Sequence, residues 1–183
     1  MTDFLALVRT RQSCRAFDSR PVEREKIVSC LEAARLSPSG CNSQPWHYTV
    51  TDDPALTEQI AAAVQGLGLN RFAFQVPAFA VVTEEKAELL TRLAERMDSQ
   101  TFAQIDIGLS AAHFVLEAAE QGLGTCILGW FDEEKLKQIF RIPQERKIRL
   151  VICIGYPAEK EPRQKLRKPL EEISEWVGGG PSL

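Results

Sequence analysis

Apolar positions along this chain alternate between the helical and the strand period, and the blocks they form predict a mixed fold. Residues 3–10 read as a short helix with Phe4, Leu5 and Val8 on one side. Pro21 opens a second helix, roughly 22–36, in which Ile27, Leu31 and Ala34 recur at helical spacing. The run Ser37-Pro38-Ser39-Gly40 breaks it. His47 to Thr51 is rich in β-branched and aromatic residues and reads as a strand. A helix from Pro54 to about Gln65 ends near Gly66 and Gly68, and Pro77 to Thr83 is a compact apolar strand. Residues 84–97 are charged and helix-prone.

The clearest helix runs from about Phe102 to Gln121, with Ile105, Leu109, Ala112, Leu116 and Ala119 forming one long apolar stripe. Gly122 caps it. Gly124 to Leu128 is a buried strand, Asp132 to Phe140 a helix, and Ile148 to Gly155 the strongest strand. The tail, 162–177, is basic and then acidic, with Trp176 as a late anchor, and Gly178 to Pro181 look frayed. No repeat or linker divides the chain, so residues 1–183 are expected to form a single domain. It is helix-rich with about four strands, an α+β or α/β layer of sheet with helices packed on it. Strand order does not follow from periodicity.

Composition narrows the function. The chain has 183 residues, is 44% hydrophobic and carries a formal net charge of -3. It has no overall field to draw it onto nucleic acid or acidic lipid, so any bound anion must be caught by a local cation cluster. Met1 to Leu7 lack a basic start and a long apolar run, and no stretch is long enough to span a bilayer; no signal peptide, no membrane association and no nucleic acid are expected. The five cysteines form no C-x-x-C pair, which fits neither a disulfide framework nor a zinc site. Scattered free thiols fit a reducing cytoplasm.

Four clusters could carry chemistry. Arg11, Ser13 and Arg15 alternate along one segment; extended, they point the same way and offer paired donors to a phosphate, although a solvated basic turn has the same composition. Ser37 to Trp46 combines two prolines and a glycine with Asn42 and Gln44, whose amides suit the alternating donors and acceptors of a flavin edge or, equally, a structural turn. Gly122 to Trp130 contains no G-x-G-x-x-G; a helix cap and a core strand explain Gly122 and Gly124, which leaves Gly129 for close approach to a planar ligand. Arg163, Lys165, Arg167 and Lys168 form a basic run that a solvated tail also explains. With two histidines there is no Ser/His/Asp or Cys/His pair, and neither His113 nor Asp106 is assigned a chemical role.

In order, these pieces resemble the nitroreductase family of FMN enzymes. The matching segments are R-x-S-x-R-x-F (Arg11 to Phe17), P-S-G-x-N-x-Q-P-W (Pro38 to Trp46), V-P-A-F-A-V-V (Val76 to Val82), D-I-G-L-S-A-A-H (Asp106 to His113), G-L-G-T-C (Gly122 to Cys126) and K-x-R-K-P-L-E-E-I (Lys165 to Ile173). They cover nearly the whole chain. The resemblance implies an α+β fold with a central, mostly antiparallel sheet of about four to five strands, helices on both faces and an intertwined homodimer. It implies that Arg11, Gln12, Ser13 and Arg15 hold the FMN phosphate and ribityl chain with Lys165 and Arg167. Pro38, Ser39 and Gly40 would lie against the flavin from the partner subunit, with Asn42 and Gln44 close by. Leu128 and Gly129 would face the ring through their backbone. Asn70 matches a family Asn near the flavin, whereas Ala73 stands where many members carry a Lys, a role Arg71 could take from another direction.

The implied activity is an oxidoreductase that takes hydride from NAD(P)H and passes it, by a ping-pong mechanism through FMN, to a small acceptor: a nitroaromatic, quinone or enone. No protein side chain need act as the catalytic acid, because the flavin carries the hydride, and no metal is implied. The alternative is an FMN-binding protein of the same fold with a carrier, regulatory or specialised role, such as acting on flavin itself or removing halide from a tyrosine-like substrate.

Overall fold

The computed structural model describes residues 3–66, 68–85, 102–159 and 161–178. Its helices are α1 (Phe4–Thr10), α2 (Arg24–Arg35), α3 (Pro54–Ala63), α4 (Phe102–Glu120) and α5 (Glu133–Phe140). Its strands are β1 (Trp46–Thr51), β2 (Ala78–Glu84), β3 (Gly124–Leu128) and β4 (Ile148–Gly155). They form one four-stranded sheet in the order β1-β2-β4-β3, antiparallel throughout. The α+β architecture and antiparallel sheet match the expectation. The helix-prone reading of 84–97 falls mostly outside the described residues, as does most of the end at 178–181; Glu84 itself closes β2.

Side-chain alternation along the central strands builds two cores. Phe79, Val81, Val151 and Cys153 face α3 and α5, where Ile60, Val64 and Leu136 are buried. Ala78, Ala80, Val82, Ile152 and Ile154 face the other way, against Ile27, Cys30 and Ala34 of α2 and Ile107, Ala111, Phe114 and Ala118 of α4. Tyr48 stacks on Phe114, ring centroids 5.6 Å apart, and its hydroxyl shares a 2.9 Å hydrogen bond with Ser110 Oγ. Ser110 Oγ also donates to the Ala34 carbonyl, which ties α4 to α2.

Three expectations need correcting. The stripe Ile105-Leu109-Ala112-Leu116-Ala119 is not the buried face of α4: Ile105 is 54% exposed and Leu109 40%. The inward face holds Ala103, Asp106, Ile107, Ser110, Ala111, Phe114, Val115 and Ala118. The helix is apolar on both sides, so apolar spacing alone fits two stripes. Trp176 is 71% exposed, so it is not an anchor buried among the described residues. α2 starts at Arg24 rather than at 22, because Val22 is buried and the Glu23 carboxylate accepts the Tyr156 hydroxyl at 2.6 Å, which holds both residues extended. In a smaller shift, α3 stops at Ala63, where the Asn70 side-chain amide donates to the Val64 carbonyl.

One ion-pair group fixes α5 to the start of β4. Glu133 accepts from the ammonium groups of Lys137 and Lys147 and, at 3.0 Å, from the Ile148 N–H. Burial alone would raise the Glu133 carboxyl, but these donors outweigh it and hold it below the ordinary glutamate range. A carboxyl lowered by folding stabilises fully above its unfolded value and loses that contribution as pH falls through its folded value. Glu133→Gln is therefore expected to lower stability near neutrality and to flatten the loss between about pH 5 and pH 3. Urea midpoints across that range measure both effects.

Candidate functional site

The segment after α1 reaches the sheet at the β3 end. Cys14 N–H donates to the Thr125 carbonyl at 2.8 Å, and Ser13 and Thr125 form a parallel bridge. Further on, Asp18 N–H donates to the Tyr156 carbonyl, Ala158 N–H to the Ala16 carbonyl, and Phe17 bridges Pro157. Cys14 and Phe17 turn inward, each 6% exposed. Arg15 is exposed and Ser13 half-buried on either side of Cys14.

This approach depends on two glycines that face each other across the β3–β4 ladder, Gly124 and Gly155. A Cβ on Gly124 would meet the Cys14 side chain at 2.9 Å, and one on Gly155 would meet Pro77 at 2.7 Å and Phe17 at 2.8 Å. The pair is invisible to spacing, because only the register shows that the two positions are opposed. Cys14, Cys126 and Cys153 lie beneath the segment, and burial pushes all three thiols up.

The tail returns to the same place. Arg163 N–H donates to the Gln12 side-chain oxygen at 3.0 Å, and its guanidinium donates to the Ser13 carbonyl at 2.7 Å. Lys165 Nζ donates to the Val8 carbonyl. Burial lowers the Lys165 ammonium, and the nearby charges of Arg11 and Arg167 push it further down. Like charges gathered this way call for an anion. Two adjoining cavities, about 210 and 180 Å³, open there; both include Gln12 and Cys14, one adds Arg15 and Arg163, and the other Arg11 and Thr125.

Gly129 follows the far end of β3. It lies four residues beyond Thr125, or ~13 Å along a strand. Its φ is not in the left-handed region, and a Cβ there would meet no atom within 4 Å. Among the described residues neither conformation nor packing requires glycine at 129, and open space beside the backbone suits a flat ligand. Leu128 next to it is buried. The loop from Gly66 to Leu69 is held at this end by Trp130, whose ring lies over Gly66. Asn70 sits here in the left-handed region with φ 53°; its amide nitrogen is used on Val64, and its Oδ1 can still accept. Ala73 is fully buried in the core, so the position offers no surface cation. Arg71 is exposed, its guanidinium beside Gly68.

Pro38 to Gln44 lies elsewhere. Cys41, Asn42 and Gln44 all have positive φ, at 51°, 54° and 46°. Such non-glycine residues cost on the order of 1–3 kcal/mol each and persist only where surroundings fix them. Here Gly40 N–H donates to Asp106 Oδ2 at 3.0 Å, and Gln44 N–H to Ser39 Oγ at 3.0 Å. Asn42 and Gln44 are thereby presented outward. Asp106 is near the start of α4, whereas Ala119, thirteen residues on, lines the Arg11 cavity. That separation is ~20 Å along the helix. One chain thus gathers Arg11, Gln12, Ser13, Arg15, Lys165 and Arg167 at one end of α4 and leaves Pro38, Ser39, Gly40, Asn42 and Gln44 at the other.

Sequence reasoning missed three contributors: Arg163 as the link between tail and head, the Gly124–Gly155 pair, and Asp106 as the support of the loop. The signal for Asp106 was present, since it is the one charged residue on the inward face of the helix, and it is 5% exposed. His113 does not join it: its ring contacts the Leu109 carbonyl at the surface. Among the described residues no group of His, Cys, Asp and Glu is arranged to hold a metal, and no helix is long and apolar enough to cross a membrane.

Asp106→Ala removes the acceptor of the Gly40 N–H from a buried site. It is expected to cost about 1–3 kcal/mol of stability, with Asp106→Asn costing less because its amide oxygen still accepts. Chemical denaturation of the two variants measures the difference.

The sequence model of the family described as "Nitroreductase family" matches residues 8–156. A Thermus thermophilus protein named "NADH dehydrogenase" is 28% identical over 194 residues, covering 91% of this chain and 92% of that one. A nitroreductase family protein from Streptococcus pneumoniae TIGR4 has the same fold, with a TM-score of 0.81 at 22% identity over 96% of this chain and 100% of that one. An FMN-dependent nitroreductase from Clostridium difficile R20291 superposes with a TM-score of 0.70 at 21% identity, covering 91% and 93%. The match spans the head segment, the strained loop, α4 and the whole sheet, and this chain belongs to the nitroreductase family.

Proposed function

We propose that this protein is an FMN-dependent oxidoreductase that takes hydride from NADH or NADPH and reduces a small acceptor such as a nitroaromatic, quinone or enone. The observation that carries the reading is the pairing of two features along β3. Converging cations from head and tail stand at one end, and an unobstructed glycine backbone lies at the other. A phosphate joined by a short chain to a planar ring fits that spacing. The names of the Thermus and Clostridium proteins point the same way.

In this reading Arg11, Arg15, Lys165 and Arg167 hold the phosphate by charge-assisted hydrogen bonds, and the Ser13 hydroxyl adds a neutral donor. Gln12 lies beside the ribityl chain. The backbone at Leu128 and Gly129 lies along the ring, and Asn70 accepts at its edge. When bound, FMN supplies the two-electron chemistry, serving donor and acceptor in alternation at one pocket. The chain's own part is to bind, orient and exclude water.

The remaining contacts come from a second copy. Pro38, Ser39, Gly40, Asn42 and Gln44 lie too far along α4 to serve the same ligand as Arg11 within one chain, so a homodimer completes each site. Its contact surface is the outward face of α4, with Ile105 and Leu109 exposed, continued by Phe4 and Leu5 of α1 at 62% and 59% exposure. That concentration of exposed apolar side chains is what an obligate interface covers.

Burial of Ala73 favours a second reading, an FMN carrier or regulatory protein with poor donor use. Anaerobic titration decides between them. Purified protein is expected to be yellow and to bleach rapidly with NADH or NADPH; bleaching that stays very slow with both supports the carrier, and failure to take up FMN rejects both. Arg11→Ala is expected to cost about 2–4 kcal/mol of FMN affinity, read from fluorescence titration, and an unchanged Kd rejects its placement. Leu109→Glu puts a charge into the α4 contact and is expected to yield monomers by light scattering, with FMN affinity lost alongside.

A further inference from the structure

We infer that Arg163 is a positioning residue for the proposed phosphate grip: it ties the tail to the head segment, so that tail docking and FMN binding form one coupled equilibrium. The inference rests on the FMN reading above. The tail has little else to hold it. Residues 161–178 contain one short turn, at Leu170–Glu172, and Leu166, Ile173 and Val177 are 85%, 64% and 92% exposed. Apolar burial therefore does not dock this segment on its own chain. Polar contacts do, and Arg163 makes most of them: its backbone N–H and its Nε both reach the Gln12 side-chain oxygen, at 3.0 and 3.4 Å, and Nη2 reaches the Ser13 carbonyl at 2.7 Å.

These acceptors are neutral, and Arg163 makes three such bonds to the head where Lys165 makes one, to the Val8 carbonyl. Arg11, Lys165 and Arg167 repel one another until an anion joins them, so the grip itself opposes docking in the empty state. Arg163 is attracted to the head whether or not the anion is present. It also acts where the head is already fixed: the Ser13 carbonyl it binds belongs to the same peptide unit as the Cys14 N–H that bonds to Thr125. Holding that peptide fixes the backbone between Ser13 and Cys14, from which the Arg15 side chain follows. A ligand that binds only the docked form stabilises it by mass action, and the coupling is reciprocal.

The test uses the full-length protein and FMN, with two readouts. Trypsin cuts after Lys165 and Arg167, so its rate at those sites reports tail release; fluorescence titration reports FMN affinity. In wild type, FMN is expected to slow tail cleavage. Arg163→Ala is expected to speed cleavage of the FMN-free protein and to weaken FMN binding about tenfold, equivalent to ~1.4 kcal/mol. Arg163→Lys should recover part of both, because an ammonium still reaches the Ser13 carbonyl without the fork. Gln12→Ala in the Arg163→Ala background should speed tail cleavage further, because the backbone N–H at position 163 still donates to the Gln12 side chain in the single variant. Wild-type affinity in Arg163→Ala overturns the coupling, even if cleavage accelerates. Equal cleavage of the FMN-free wild-type and Arg163→Ala proteins overturns the tie itself. A wild-type protein that takes up no FMN rejects the functional reading instead, and the trypsin comparison without FMN still judges the tie.

Discussion

Helix α4 is apolar on both sides, and the rest of the molecule is arranged around that constraint. Its inner face, with Ile107, Ala111, Phe114 and Ala118, closes one core against α2 and the sheet. Its outer face keeps Ile105 and Leu109 in water. Roughly 25 cal/mol per Å² of apolar surface favours covering that face, and nothing described in the same chain does so. The helix also sets the length of the site. Asp106 holds the strained loop near one end, and Ala119 borders the cation cavities near the other. A rigid rod between the two groups keeps a single chain from bringing them together.

Both halves of the site carry energetic costs. Cys41, Asn42 and Gln44 are held at positive φ by bonds that the Gly40 and Gln44 N–H groups donate to Asp106 and Ser39, with Asn42 and Gln44 exposed. Arg11, Lys165 and Arg167 stand close enough for their charges to lower the Lys165 ammonium. A fold optimised for stability alone would relax both. Their presence, together with an unobstructed Gly129, is what the proposed flavin chemistry requires.

Much of this is legible in the sequence, and the failures have physical causes. β4 and α4 read to within a residue because each is long and strongly patterned. The start of α2 does not, since Val22 and Glu23 are spent on tertiary contacts that helical propensity cannot anticipate. The buried face of α4 is misread because apolar spacing is degenerate on a helix with apolar residues on both sides, and the deciding side chains, Asp106 and Ser110, are polar ones satisfied by distant partners. Head and tail are each recognisable as basic clusters. Their convergence is not, because it depends on Arg163 reaching neutral acceptors in a segment some 150 residues away. Likewise, Gly124 and Gly155 acquire meaning only through sheet register.

The central claim is that each FMN site takes its phosphate grip from one chain and its Pro38–Gln44 loop from another. Mixing two defective variants tests it directly: one carries Arg11→Ala, the other Asn42→Ala with Gln44→Ala. Each alone should bind FMN weakly at every site. After subunit exchange, a mixed dimer should contain one site with both halves intact, and FMN titration should recover a population of wild-type affinity. A mixture that binds no better than its separate components would contradict the account, because it would place both halves of the site in one chain.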